Sequence, residues 1–88
     1  MRGYSINVRI ARKIVFVNGY INPSGSGSNL ILMAGFPMHS GYSVFGICAS
    51  DVSSLSGFCR INDSSHELKF NIPEAQHNYV FNFSYIRD

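Results

Sequence analysis

The sequence predicts an all-β fold, a small antiparallel β-sandwich of jelly-roll-like form with about seven strands, and three observations lead there. Apolar and polar residues alternate with period two through most of the chain, whereas helical periodicity is nearly absent. Thirteen Ser, eight Asn and eight Gly supply turns without charge, and seven Phe and five Tyr supply bulk that suits a pleated surface. Gly, Ser, Asn and Pro punctuate the chain at roughly 8–12-residue intervals, the spacing of short strands in a sandwich. With 88 residues the chain is one domain, 1–88, able to bury about 64% of its unfolded surface.

A first strand is expected over Tyr4–Ile10, with Tyr4, Ile6, Val8 and Ile10 on one face and Ser5, Asn7 and Arg9 on the other. Lys13–Ile21 is β-branched and aromatic on both faces, which suits a central strand. Asn22–Asn29 (NPSGSGSN) is a turn, and Asn29–Met33 a third strand that ends at Gly35-Phe36-Pro37, since proline cannot donate to a ladder. Ser43–Ser50 and Gly57–Asn62 form a hairpin whose most symmetric register sets Ser50 opposite Gly57 and Cys48 opposite Cys59. A turn through Arg60–Ser65 leads to a sixth strand, His66–Ile72, stopped by Pro73. The last strand, Asn78–Ile86, places Tyr79, Phe81, Phe83 and Tyr85 on one side, and that side must be covered. Phe16, Leu32, Phe45, Phe81 and Phe83 are the expected core.

Charge is sparse: charged residues are 14% of the chain, against roughly 25% in an ordinary globular protein. A surface this bland implies that some of it is covered by a partner. The net charge of +2 has no basic run that would neutralise a nucleic-acid backbone. The longest apolar stretch, Leu30–Pro37, is far short of the roughly 20 residues of a membrane helix, and no signal peptide opens the chain.

Catalytic groups are few and scattered. Asp51, Asp63, Glu67, Glu74 and Asp88, with His39, His66 and His77, show neither paired acids nor metal-ligand spacing, so no enzyme activity, cofactor or metal is expected. Gly25-Ser26-Gly27 lacks the Lys-Ser/Thr of a phosphate loop and reads as a turn. Cys48 and Cys59 could bridge in the symmetric register, but a disulfide across a tight strand pair is commonly strained, which favours buried thiols. Asn62-Asp63-Ser64 and Asn82-Phe83-Ser84 match the glycosylation acceptor pattern by chance. Binding by loops remains. The segments His39–Tyr42, Asp51–Ser56 and Glu74–Asn78 carry amide, hydroxyl and ring groups able to read a neutral hydroxylated ligand such as a glycan, and they also suit plain solvated connections. The ligand candidates are His39, Tyr42, Asp51 and His77.

The order of segments resembles one family, the C-terminal receptor-binding head domains of bacteriophage tail-fibre and baseplate proteins. The matching features are Arg12-Lys13-Ile14-Val15-Phe16-Val17-Asn18-Gly19-Tyr20-Ile21, a Gly/Ser loop, and the apolar Leu30–Pro37 ending in Phe-Pro. Cys59-Arg60-Ile61-Asn62, Glu67-Leu68-Lys69 and the aromatic strand Tyr79–Ile86 complete the set, over roughly residues 6–86. Met38–Ser43 departs from the pattern, so no site residue carries over there. The resemblance implies a homotrimeric β-sandwich at a virion tail tip, made in the bacterial cytoplasm, that attaches to host cell-surface glycan or protein and contacts other tail subunits without chemistry. Two alternatives stand beside it: a structural fibre-capping or tail-assembly protein without ligand, and a small bacterial lectin or immunity-type binding protein.

Overall fold

The computed structural model describes residues 2–25, 27–39, 41–50 and 55–88, and for 27–29, 31 and 32 the backbone alone. The chain is all-β and antiparallel. Its strands are β1 (Gly3–Ala11), β2 (Ile14–Asn22), β3 (Gly27–Met33), β4 (Val44–Ser50), β5 (Ser56–Ile61), β6 (Leu68–Ile72) and β7 (Tyr79–Ile86). Each expected strand is present, with ends moved by one or two residues. The sixth starts at Leu68 instead of His66, because His66 has a φ of 58° and closes the turn from Asn62, whose carbonyl accepts its N–H.

The seven strands form one hydrogen-bonded sheet in the order β1-β2-β7-β4-β5-β6-β3. Strands β4, β5 and β6 follow one another, and β7 returns to lie beside β4, so these four make a Greek key. The sheet curls into a sandwich-like body whose concave face is the core. Val15, Val17 and Ile21 of β2, Tyr79, Phe81 and Tyr85 of β7, Cys48, Cys59 and Ile61, and Leu68, Phe70 and Ile72 of β6 are all buried there. Phe36 and Met38, from the connection between β3 and β4, close one side of it. That connection is tied down by Gly35 and Phe36 N–H groups donating to the His66 carbonyl, and by the Asp88 N–H donating to the Met38 carbonyl.

The aromatic row of β7 fills this interior and decides what can face it. Phe70 and Phe81 pack at 5.2 Å between centroids, and Phe81, Phe83 and Tyr85 follow at 6.4 Å steps. A Cβ on Gly46 would stand 3.0 Å from the Phe83 ring, so the inward positions of β4 hold small residues. This corrects the expected core. Phe45 lies on the outer face of β4 and is 66% exposed, and Ile47 beside it is 74% exposed. Phe16 is also on the outer face, half-buried beneath the Arg9 guanidinium at 4.8 Å from its ring centroid. Phe81 is buried and Phe83 half-buried against the core, whereas the Leu32 side chain lies outside the described residues.

The hairpin register also differs from the symmetric one. Cys48 pairs with Gly57 and Gly46 with Cys59, two residues away from the Cys48–Cys59 alignment. Each sulfur therefore occupies the space above the glycine opposite it, 3.3 Å and 3.1 Å from where those glycines would carry a Cβ. Both cysteines are buried and free. They share a face as diagonal neighbours, typically about 7–8 Å apart, whereas a disulfide needs Cβ atoms roughly 3.5–4.5 Å apart.

Candidate functional site

The ligand candidates divide between the two ends of the sheet. Strand β7 runs from Tyr79, opposite Ile21, to Ile86, opposite Ile14, so its eight residues span about 23 Å at the rise of an extended strand. His77 lies before its start and His39 near its finish. These residues cannot share one small ligand.

At the β7 finish, His39 and Tyr42 meet edge to face with ring centroids 4.9 Å apart, and the Tyr42 N–H donates to the His39 carbonyl. That backbone bond folds the segment after Pro37 into a turn that presents Tyr42, 66% exposed, to solvent. Asp88 adds a carboxylate oxygen 3.6 Å from His39 Nε2. The site at this end is thus an imidazole, a phenol and a carboxylate on a rim. Sequence reasoning did not place Asp88 here, since it lies 49 positions from His39 and only the pairing of the last strand brings it back.

At the other end, His77 Nε2 is 3.0 Å from Glu74 Oε1, while the Tyr79 hydroxyl donates to the Glu74 carbonyl at 2.7 Å. The Gln76 N–H donates to the Pro23 carbonyl, which fixes this turn to the end of β2. Asn22 Nδ2 donates to Asn78 Oδ1 at 3.0 Å beside it. The Glu74–His77 contact is local, three residues apart, and a closer reading of the turn could have found it. Asp51, the fourth candidate, lies outside the described residues.

Elsewhere polar groups cross strand pairs, as Asn7 Nδ2 does in donating to Asn18 Oδ1 at 3.3 Å, or close turns. Asn62 Oδ1 accepts from both the N–H and the hydroxyl of Ser64, at 2.9 and 2.6 Å, the closed loop of an Asx turn. Among the described residues, no three His, Cys, Asp or Glu side chains converge to hold a metal ion. The buried thiols are poor nucleophiles: burial pushes Cys48 up, and burial with the neighbouring Cys48 pushes Cys59 up to about 12. Among the described residues no helix is long and apolar enough to cross a membrane. Compared with known protein-family models, curated proteins and solved structures, the chain matches none.

Proposed function

We propose that the chain is a non-enzymatic attachment module, the receptor-binding tip domain of a phage tail fibre or baseplate, working as a homotrimer on a host-surface glycan or protein. The observation that carries this reading is the outer face of the sheet. Phe45, Ile47, Phe58, Val80 and Ile86 are exposed there on adjacent strands, although the same strands already bury a complete core on their inner side. Contiguous exposed apolar surface of this kind marks an interaction face, and three copies related by an axis would cover it.

The ends of the sheet then take different roles. Residue 2 enters at the end marked by Asn22 and Asn78, where its N–H donates to the Asn22 carbonyl. His39, Tyr42 and Asp88 lie at the opposite end, where three copies would present three equal weak sites and gain avidity. The test is the solution mass of the purified chain by light scattering across concentrations, alongside Ile47→Asp. A mass of three chains that falls to one in the variant, with thermal stability kept, supports the reading. A monomeric parent chain overturns it in favour of a small lectin or immunity-type binding protein.

A further inference from the structure

The strand β1 is an edge of the sheet, paired among the described residues with β2 alone. Its register with β2 puts Tyr4, Ile6, Val8 and Ile10 on the same face as Val15, Val17 and Ile21, the core face. Yet Tyr4 is 59%, Val8 40% and Ile10 48% exposed, and of these four only Ile6 packs, half-buried, against the core. The other edge of the sheet is β3, and residues 33–37 at its end share a groove with β1. This groove, of about 200 Å³, runs between them with Val8 and Ile10 on one wall and Met33, Phe36 and Pro37 on the other. One side of this groove is therefore a backbone edge whose outward N–H and C=O groups have no strand partner among the described residues.

Charge decides what fits. Five of the seven Lys and Arg lie along β1 or at its ends: Arg2, Arg9, Arg12, Lys13 and Arg87. Arg87 is held there by its Nε donating to the Arg12 carbonyl at 3.1 Å and its N–H to the Lys13 carbonyl at 2.8 Å. No carboxylate among the described residues lies within ion-pairing distance of any of the five. Two of the acids face other partners, Glu67 facing Lys69 at 3.8 Å and Asp88 facing His39 at 3.6 Å. The same charges disfavour a second copy as occupant, because antiparallel pairing of two β1 strands about Asn7 would set Arg2 of one copy opposite Arg12 of the other.

We propose that the β1 edge and its groove bind an extended acidic segment of a partner protein, which adds to the sheet as a further strand. Its apolar side chains, at alternate positions, enter the groove over Val8 and Ile10. Its acidic side chains lie on the outer face beside Arg9 and at the strand end beside Arg12, Lys13 and Arg87. Main-chain hydrogen bonds give the attachment and the alternate side chains give the specificity. The site is separate from the outer apolar face, so it stands whether or not the chain is a trimer.

The test is fluorescence anisotropy of the full chain with a short dye-labelled peptide in which isoleucine alternates with glutamate, beside its isoleucine–lysine counterpart. The acidic peptide is expected to bind and the basic one not, with binding weakened by salt. The double variant Arg9→Glu, Lys13→Glu, both exposed and so expected to fold, should lower affinity for the acidic peptide by about tenfold or more. Val8→Asp, on the groove wall, should abolish it, and circular dichroism checks its fold. Equal binding of both peptides, or none of the acidic one, overturns the proposal. So does a parent chain whose oligomeric mass drops in the Val8→Asp variant, which would make a second copy the occupant.

Discussion

Gly19 shows how much one missing side chain can set. It has a φ of 152°, and a Cβ built on it would fall onto the Ser5 carbonyl oxygen of the neighbouring strand. Only glycine lets β1 approach β2 there, so Gly19→Ala must push the two strands apart and is expected to cost about 3 kcal/mol, the upper range for overpacking plus backbone strain. Chemical denaturation measures it, and a loss under about 0.5 kcal/mol, the size of an ordinary surface substitution, would mean that the strands separate freely. Tyr85 is the opposite case. Its ring is buried beside Phe83, but its hydroxyl is also buried and has no hydrogen-bond partner among the described residues. Leaving such a group unpaired costs more than its removal, so Tyr85→Phe is expected to raise stability by about 1 kcal/mol. A lowered thermal midpoint would reveal a hydrogen bond at that oxygen.

Among the elements, β7 joins the two halves of the molecule, pairing with β2 on one side and β4 on the other. Phe81 lies at its centre, buried and packed on Phe70, so Phe81→Ala is expected to cost about 3–5 kcal/mol. A change under about 1 kcal/mol would be what an exposed position gives. The inward direction of this aromatic row was legible in the sequence because Tyr79, Phe81, Phe83 and Tyr85 put all the aromatic bulk on one face, against Asn82 and Ser84 with Val80 and Ile86 on the other. The face of β4 was not legible. Val44, Gly46 and Cys48 alternate with Phe45, Ile47 and Ala49, so both faces are apolar, and bulk pointed to the wrong one. What decides it is the Phe83 ring above Gly46, a contact from a strand that comes more than 30 residues later. The site divides in the same way. Turn residues marked the segments of His39, Tyr42 and His77, but their placement at opposite ends, and the arrival of Asp88 beside His39, depend on which strands become neighbours.

For the molecule as a whole, the polar groups buried with the core set its alkaline limit. Burial holds Tyr85 at about 12 and raises Tyr79, against an ordinary phenol value of 10.0. Cys59 is held at about 12 and Cys48 is raised, against a thiol value of 9.0. The unfolded chain loses these protons first, so the folded state binds more of them above pH 9. Stability is then complete below about pH 9 and falls as pH rises toward about 12, first as the unfolded thiols and then as the unfolded phenols ionise. Thermal midpoints taken across that range check it. A flat profile would show that these groups ionise in the folded chain as readily as in the unfolded one.

The neighbour order of the sheet also sets when the molecule can form. Strand β2 is finished by residue 22, but the strand that covers its inner edge begins only at Tyr79. During synthesis the β1–β2 and β4–β5 hairpins can close as they emerge, because their partners are adjacent in the chain. The core cannot, since β2 and β4 meet only through β7. Until residue 86 has left the ribosome, two apolar hairpins wait without their common partner, and folding must be completed in one late step that joins distant parts of the chain.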